Sequence, residues 1–140
     1  TLMVQLTVYK MKHPVRVPSV TYLERVAEGA LRACKSQGDV TLSLAFVNDN
    51  EMQHLNEKWL HRKGPTDVLS FEGEPPFLGE IVMNLDMLKR AGSEHTTSMR
   101  AMITRYMTHG VLSLLGMDHK EGEHAFEIQE LEDNIVQSIV

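Results

Sequence analysis

The chain has almost no cysteine: Cys34 stands alone among 140 residues. That excludes an internal disulfide framework and a cysteine-based zinc site. Long apolar runs are missing too, so no segment is expected to cross a bilayer. The N-terminal TLMVQLTVYK alternates apolar and polar residues instead of forming an apolar block with a cleavage site. The expectation is a cytoplasmic protein in a reducing compartment, with no membrane partner. Positive charge is in short supply: 14 Lys and Arg stand against 19 Asp and Glu, a net −5 with neutral histidines. A chain held to nucleic acid by bulk attraction is usually basic, so any phosphate contact is expected from a local patch. Repeats, low-complexity tracts and dividing linkers are absent, and residues 1–140 read as a single domain.

What is present suits a packed core. Hydrophobic residues make up 42% of the chain and charged residues 24%, which excludes wholesale disorder. The nine methionines read as pliable core filling. Residues 3–9 (MVQLTVY) and 40–47 (VTLSLAFV) have the period of half-buried strands, with shorter strands at 67–71 and 79–85. Between them, Leu23, Val26, Ala27, Ala30, Leu31 and Cys34 mark a helix from Ser19 to about Gln37, stopped by Gly38. A short helix capped by Asp49 or Asn50 carries Met52, Leu55 and Trp59. Helices from Asp86, from about Thr96 to Leu115, and from Glu123 onward complete the chain. This order gives an α+β fold, a mixed β-sheet with helices packed on it.

The informative stretch is THGVLSLLGMDHKEGEH, residues 108–124. His109 falls inside the long helix and His119 just past the Gly116 turn. A glycine break can fold the later imidazole back toward the earlier one and present two nitrogens to one metal. Zinc enzymes commonly set two histidines at i and i+4 on one helix face, but four residues after His109 stands Ser113, a poor zinc ligand. The remaining histidines His13, His54, His61 and His95 read as solvated, as do the acidic residues of EIQELED. Asp67 either orients a ligand from behind or starts its strand through an Asx-type turn, and the second reading is favoured.

HGVLSLLGMDH resembles the HGxLHLxGxDH signature of the YbeY family of rRNA-maturation endoribonucleases. LNEKWLHRKGPTDVLSF (Leu55–Phe71) is similar to that family's LNxxYRxxDxPTDVLSF block, and LGEIVMNLDMLKRAG (Leu78–Gly92) to its LGDIxIxxxxAxxxA block. Three blocks in the same order are far more specific than any one alone. The resemblance implies a metal-dependent, single-strand-specific endoribonuclease for the 3′ end of small-subunit rRNA, with the small ribosomal subunit or its proteins as partners. It also implies one zinc ion, with the metal-site histidines at the end of a long helix and in the turn after it.

Two positions depart from the family pattern. Its three metal-binding histidines fall on His109, Ser113 and His119, so the middle ligand is lost. Its arginine falls on Leu60, which removes a fork-shaped phosphate clamp. His124 is the nearest imidazole for a substitute ligand, although a side chain beyond the turn approaches from another direction. Arg62 and Lys63 are the candidate RNA contacts in the loop after Leu60. Both departures point toward weakened catalysis, so a ribosome-associated RNA-binding factor is the main rival reading. A zinc peptidase is the weaker rival, because Gly110 stands where a zincin carries its general-base Glu.

Overall fold

The computed structural model describes residues 1–117 and 123–139, and within the last segment the side chains of residues 130–138. Nine elements follow in the order β1 (Leu2–Lys10), α1 (Val20–Ala33), β2 (Gly38–Val47), α2 (Asp49–Leu60), β3 (Val68–Glu72), β4 (Phe77–Asn84), α3 (Leu85–Glu94), α4 (Met99–Leu114) and α5 (Glu123–Ile139). The sheet order is β1-β2-β4-β3. β1 and β4 both lie parallel to β2, and β3 runs antiparallel to β4. A mixed sheet with helices packed on it is what the sequence pattern predicts.

The period-two alternation sorts side chains onto two faces. Leu42, Leu44 and Phe46 of β2, with Ile81 and Met83 of β4, point into the main core under α1, α4 and α5. Val47, Leu69 and Val82 point the other way and meet Met52 of α2 in a second, smaller cluster. Beyond α2 that second face lies open, with Met3 and Tyr9 of β1 more than half exposed. β1 is an edge strand, and Glu24 of α1 accepts a hydrogen bond from its Leu6 N–H at 3.0 Å.

Helix ends show where the sequence signals were misread. α1 is capped by Ser19, as expected, but stops at Ala33 rather than Gln37. Lys35 takes the left-handed conformation (φ 58°), and the Ser36 N–H returns to the Leu31 carbonyl at 2.9 Å. This is a Schellman closure without glycine, so a search for glycine overlooks it. α2 is capped by Asn48, one residue before the first of the expected caps, its side chain accepting the Glu51 N–H. α4 starts at Met99, with Ser98 accepting the Ala101 N–H. It ends in a Schellman turn at Gly116 (φ 84°), as its position suggested, with the Met117 N–H on the Leu112 carbonyl at 2.8 Å.

α4 is the central helix. Ile103, Met107, Val111 and Leu112 are fully buried against the sheet and α1. At Gly110 a Cβ would stand 2.8–3.0 Å from three carbons of Ile81, closer than real carbon contacts allow. Glycine therefore lets α4 lie directly on β4 at the residue after His109.

Candidate functional site

Arg105, His109 and Ser113 recur every four residues along α4 and share one helix face. That face borders an open cavity of about 360 Å³ lined by Asp67, Val68, Met102, Arg105, Tyr106, His109 and Glu132. Three elements meet here: α4, the start of β3, and α5.

His109 is held from behind. Its Nδ1 lies 3.0 Å from Glu132 Oε2. An ionised carboxylate only accepts, so the ring N–H on Nδ1 is the donor, and in the neutral ring the lone pair is on Nε2. Glu132 is 4% exposed, while the imidazole is 31% exposed at the cavity. A carboxylate this buried requires partners. It has the imidazole and, at 3.9 Å, the Arg105 guanidinium. Arg105 also reaches Asp133 Oδ1 at 2.9 Å. Reading EIQELED as a wholly solvated run is therefore corrected at Glu132. The spacing held the signal: Ile128, Ile135 and Ile139 stand at −4, +3 and +7 from it, on one helical stripe.

Asp67 starts its strand, the favoured of the two roles considered for it, and its second oxygen meets Tyr106 rather than a histidine. Its Oδ1 accepts the Val68 N–H at 2.8 Å, opening β3, and its Oδ2 accepts the Tyr106 hydroxyl at 2.8 Å. Burial, followed by this hydrogen bond to a carboxylate, pushes the Tyr106 hydroxyl up to about 12. Tyr106 therefore stays a neutral donor and ties α4 to β3 beside His109.

The other expected site residues are placed as follows. His119 lies outside the described residues, as does the side chain of His124. Ser113 is half-buried on the His109 face. Leu60 ends α2 at 39% exposure, and Arg62 and Lys63 are exposed in the loop beyond it. Among the described residues no three His, Cys, Asp or Glu side chains gather around one point.

A second histidine pair escaped sequence reasoning. His13, expected to be solvated, has a 7% exposed side chain with Nε2 2.7 Å from Asp86 Oδ1. Its Nδ1 accepts the Val15 N–H at 3.1 Å, so the proton on Nε2 goes to Asp86. Asp86 Oδ2 accepts the Asp49 N–H, and that bond, with His13 next, holds its carboxyl below the usual range. Arg90 grips Asp49 with both guanidinium nitrogens at 2.9 and 3.0 Å and lowers its carboxyl too. Fully buried Asn84 joins Asp49 to the Thr66 carbonyl. This network pins α2, α3 and the segment before Asp67 together.

The fold and site define a class: a one-sheet α+β protein whose central helix presents a carboxylate-anchored histidine to an open cavity. The solution structure of a Thermotoga maritima protein has the same fold, with a TM-score of 0.66 over 98% of this chain and 89% of that one at 24% identity. A profile of the family described as Endoribonuclease YbeY matches residues 10–140. An Endoribonuclease YbeY of Bartonella bacilliformis is 36% identical over 106 residues, covering 70% of this chain and 67% of that protein. One from Coxiella burnetii is 34% identical over 131 residues, covering 88% and 86%. The chain belongs to the YbeY family.

Proposed function

We propose that residues 1–140 act as one YbeY-like domain, a cytoplasmic, metal-dependent endoribonuclease that cuts single-stranded rRNA at the small-subunit 3′ end. The supporting observation is the buried Glu132 carboxylate that aims His109 at the cavity, in a chain whose relatives are named as endoribonucleases. The donor chemistry fits the metal such an enzyme uses. An imidazole whose Nδ1–H leans on a carboxylate is the usual form of a zinc-ligating histidine, with Nε2 as the coordinating atom. His109 and His119 would hold the ion, which when bound supplies a Lewis acid for the scissile phosphate and its attacking water.

The chain's own residues do the rest. Glu132 fixes the tautomer and rotation of His109. Arg105, one turn before it, brings a cation to the same cavity, and Arg62 and Lys63 offer exposed charge to the strand's phosphates. Ser113 supplies a hydroxyl where the family pattern has an imidazole, and Leu60 supplies no charge where it has an arginine. The enzyme is therefore expected to bind its strand well and cut it slowly, in ribosome maturation and quality control at the small subunit.

The test is cleavage of an end-labelled single strand from the small-subunit rRNA 3′ end, with affinity measured in parallel. Slow, chelator-sensitive cutting is expected. Leu60→Arg with Ser113→His should raise the rate at least about tenfold and change affinity by less than about twofold, because both groups act on the transition state. A double variant that binds but never cuts would favour the assembly-factor reading. Cutting untouched by chelator would remove the metal.

A further inference from the structure

The last turn of α2 turns the Trp59 indole outward. Trp59 is 58% exposed and Leu60 39% exposed, while Met52 is fully buried. A cation stands beside the ring. Lys58 Nζ stands 5.2 Å from the ring centroid, and the stretch Lys58–Lys63 contains Lys58, Arg62 and Lys63 with no carboxylate. Among the described residues none of these three cations forms an ion pair, whereas Arg32, Arg90 and Arg105 each do. The loop that carries Arg62 and Lys63 is anchored. His61 takes the left-handed conformation (φ 54°), the Arg62 N–H returns to the Asn56 carbonyl at 3.2 Å, and Asn56 Nδ2 donates to the Gly64 carbonyl at 2.8 Å. Three residues beyond Gly64, Asp67 lines the His109 cavity.

We propose that Trp59 is a stacking platform for one unpaired nucleobase of single-stranded RNA, with Lys58, Arg62 and Lys63 holding the phosphates on either side. This assignment rests on the RNA-cutting function proposed above and adds where the strand is gripped. Every base has a π-face, so an exposed indole beside cations binds single strands with little regard to sequence. A base inside a duplex has both faces covered by its neighbours and cannot reach the ring, so the platform also selects against double strands. A second copy of the chain is a poor occupant, because its own Lys58, Arg62 and Lys63 would meet these like charges.

Trp59 is the sole tryptophan, so intrinsic emission reads this position alone. The probe is a dye-labelled 2′-O-methyl strand of about 12 nucleotides, within the span such sites cover. It is titrated in EDTA so that it stays intact, with anisotropy followed in parallel. Saturable quenching is expected at the anisotropy midpoint for the single strand, and none for the same strand annealed to its complement. Trp59→Ala should weaken single-strand binding about tenfold, with Trp59→Phe retaining most of it. Arg62→Gln with Lys63→Gln should flatten the slope of log affinity against log salt by roughly 1.4, about 0.7 for each charge removed. Circular dichroism melts of each variant should match the parent. Binding by anisotropy with unchanged emission and an unaffected Trp59→Ala variant would overturn the platform and leave the RNA function standing. No binding of any strand would overturn both. Emission that shifts on concentrating the protein alone would assign the ring to self-association and overturn the platform.

Discussion

Two histidine–carboxylate pairs among the described residues are built in opposite senses. At His13–Asp86 the imidazole is the buried partner and the carboxylate is one-third exposed. Both ring nitrogens are committed to protein groups, and the pair ties a loop to the start of α3. At His109–Glu132 the carboxylate is buried and the ring faces a cavity. Contact distance does not separate them, since the pairs measure 2.7 and 3.0 Å. Which partner has been taken out of water does. The sealed histidine of the first pair ties elements together, and the sealed carboxylate of the second points its histidine at the cavity.

Breaking the two pairs should therefore damage different things. His109→Ala is expected to lower RNA cleavage at least about 100-fold, well beyond any loss of folded protein, and to lower the thermal melt as well, because it removes a partner of the buried Glu132 carboxylate. Glu132→Gln keeps the shape but weakens the grip on Nδ1, and cleavage should fall about 10- to 100-fold, as when support behind a metal-ligating histidine is lost. Equal rates for parent and Glu132→Gln would erase the distinction drawn between the pairs. Ser113→His should tighten zinc at least about tenfold in competition with a chelator, by adding an imidazole on the His109 face. Unchanged affinity would mean that another group already supplies that donor.

Smaller effects belong to the structural pair. His13→Ala should cost about 1–3 kcal/mol in denaturant unfolding by stranding Asp86, with cleavage per folded molecule unchanged. Acid and alkali should also separate the two regions. The Asp86 and Asp49 carboxyls lie below their ordinary 3.8 in the folded chain. Their stabilising contribution is complete above that value and drains away as pH falls through the lower folded pKa. The Tyr106 hydroxyl lies above its ordinary 10, at about 12. Its contribution is complete below pH 10 and is lost as pH rises toward 12. Tyr106→Phe should cost about 1 kcal/mol at neutral pH and remove that alkaline loss, which unfolding midpoints across a pH series would report.

Strands and buried helix faces were legible because period and burial are local properties of the chain. The alternation at residues 3–9 and 40–47 became β1 and β2, and the stripe from Leu23 to Leu31 became the buried face of α1. The place of His109 on the long helix was legible in the same way. The partners of the histidines were not, because contact is made across the chain: Glu132 lies 23 residues from His109, and Asp86 lies 73 from His13.

Gly110 has one more consequence, concerning degrees of freedom. Its contact with Ile81 sets how far the α4 backbone stands off the sheet, and so fixes the position of the adjacent His109 Cα. Glu132 governs something independent, the torsion of the ring about that fixed origin. Translation is set by steric contact, which pH and salt do not alter. Rotation is set by the hydrogen bond between Nδ1 and the buried carboxylate. A bulkier residue at 110 would displace the imidazole without changing its aim, whereas loss of the carboxylate would let it swing in place.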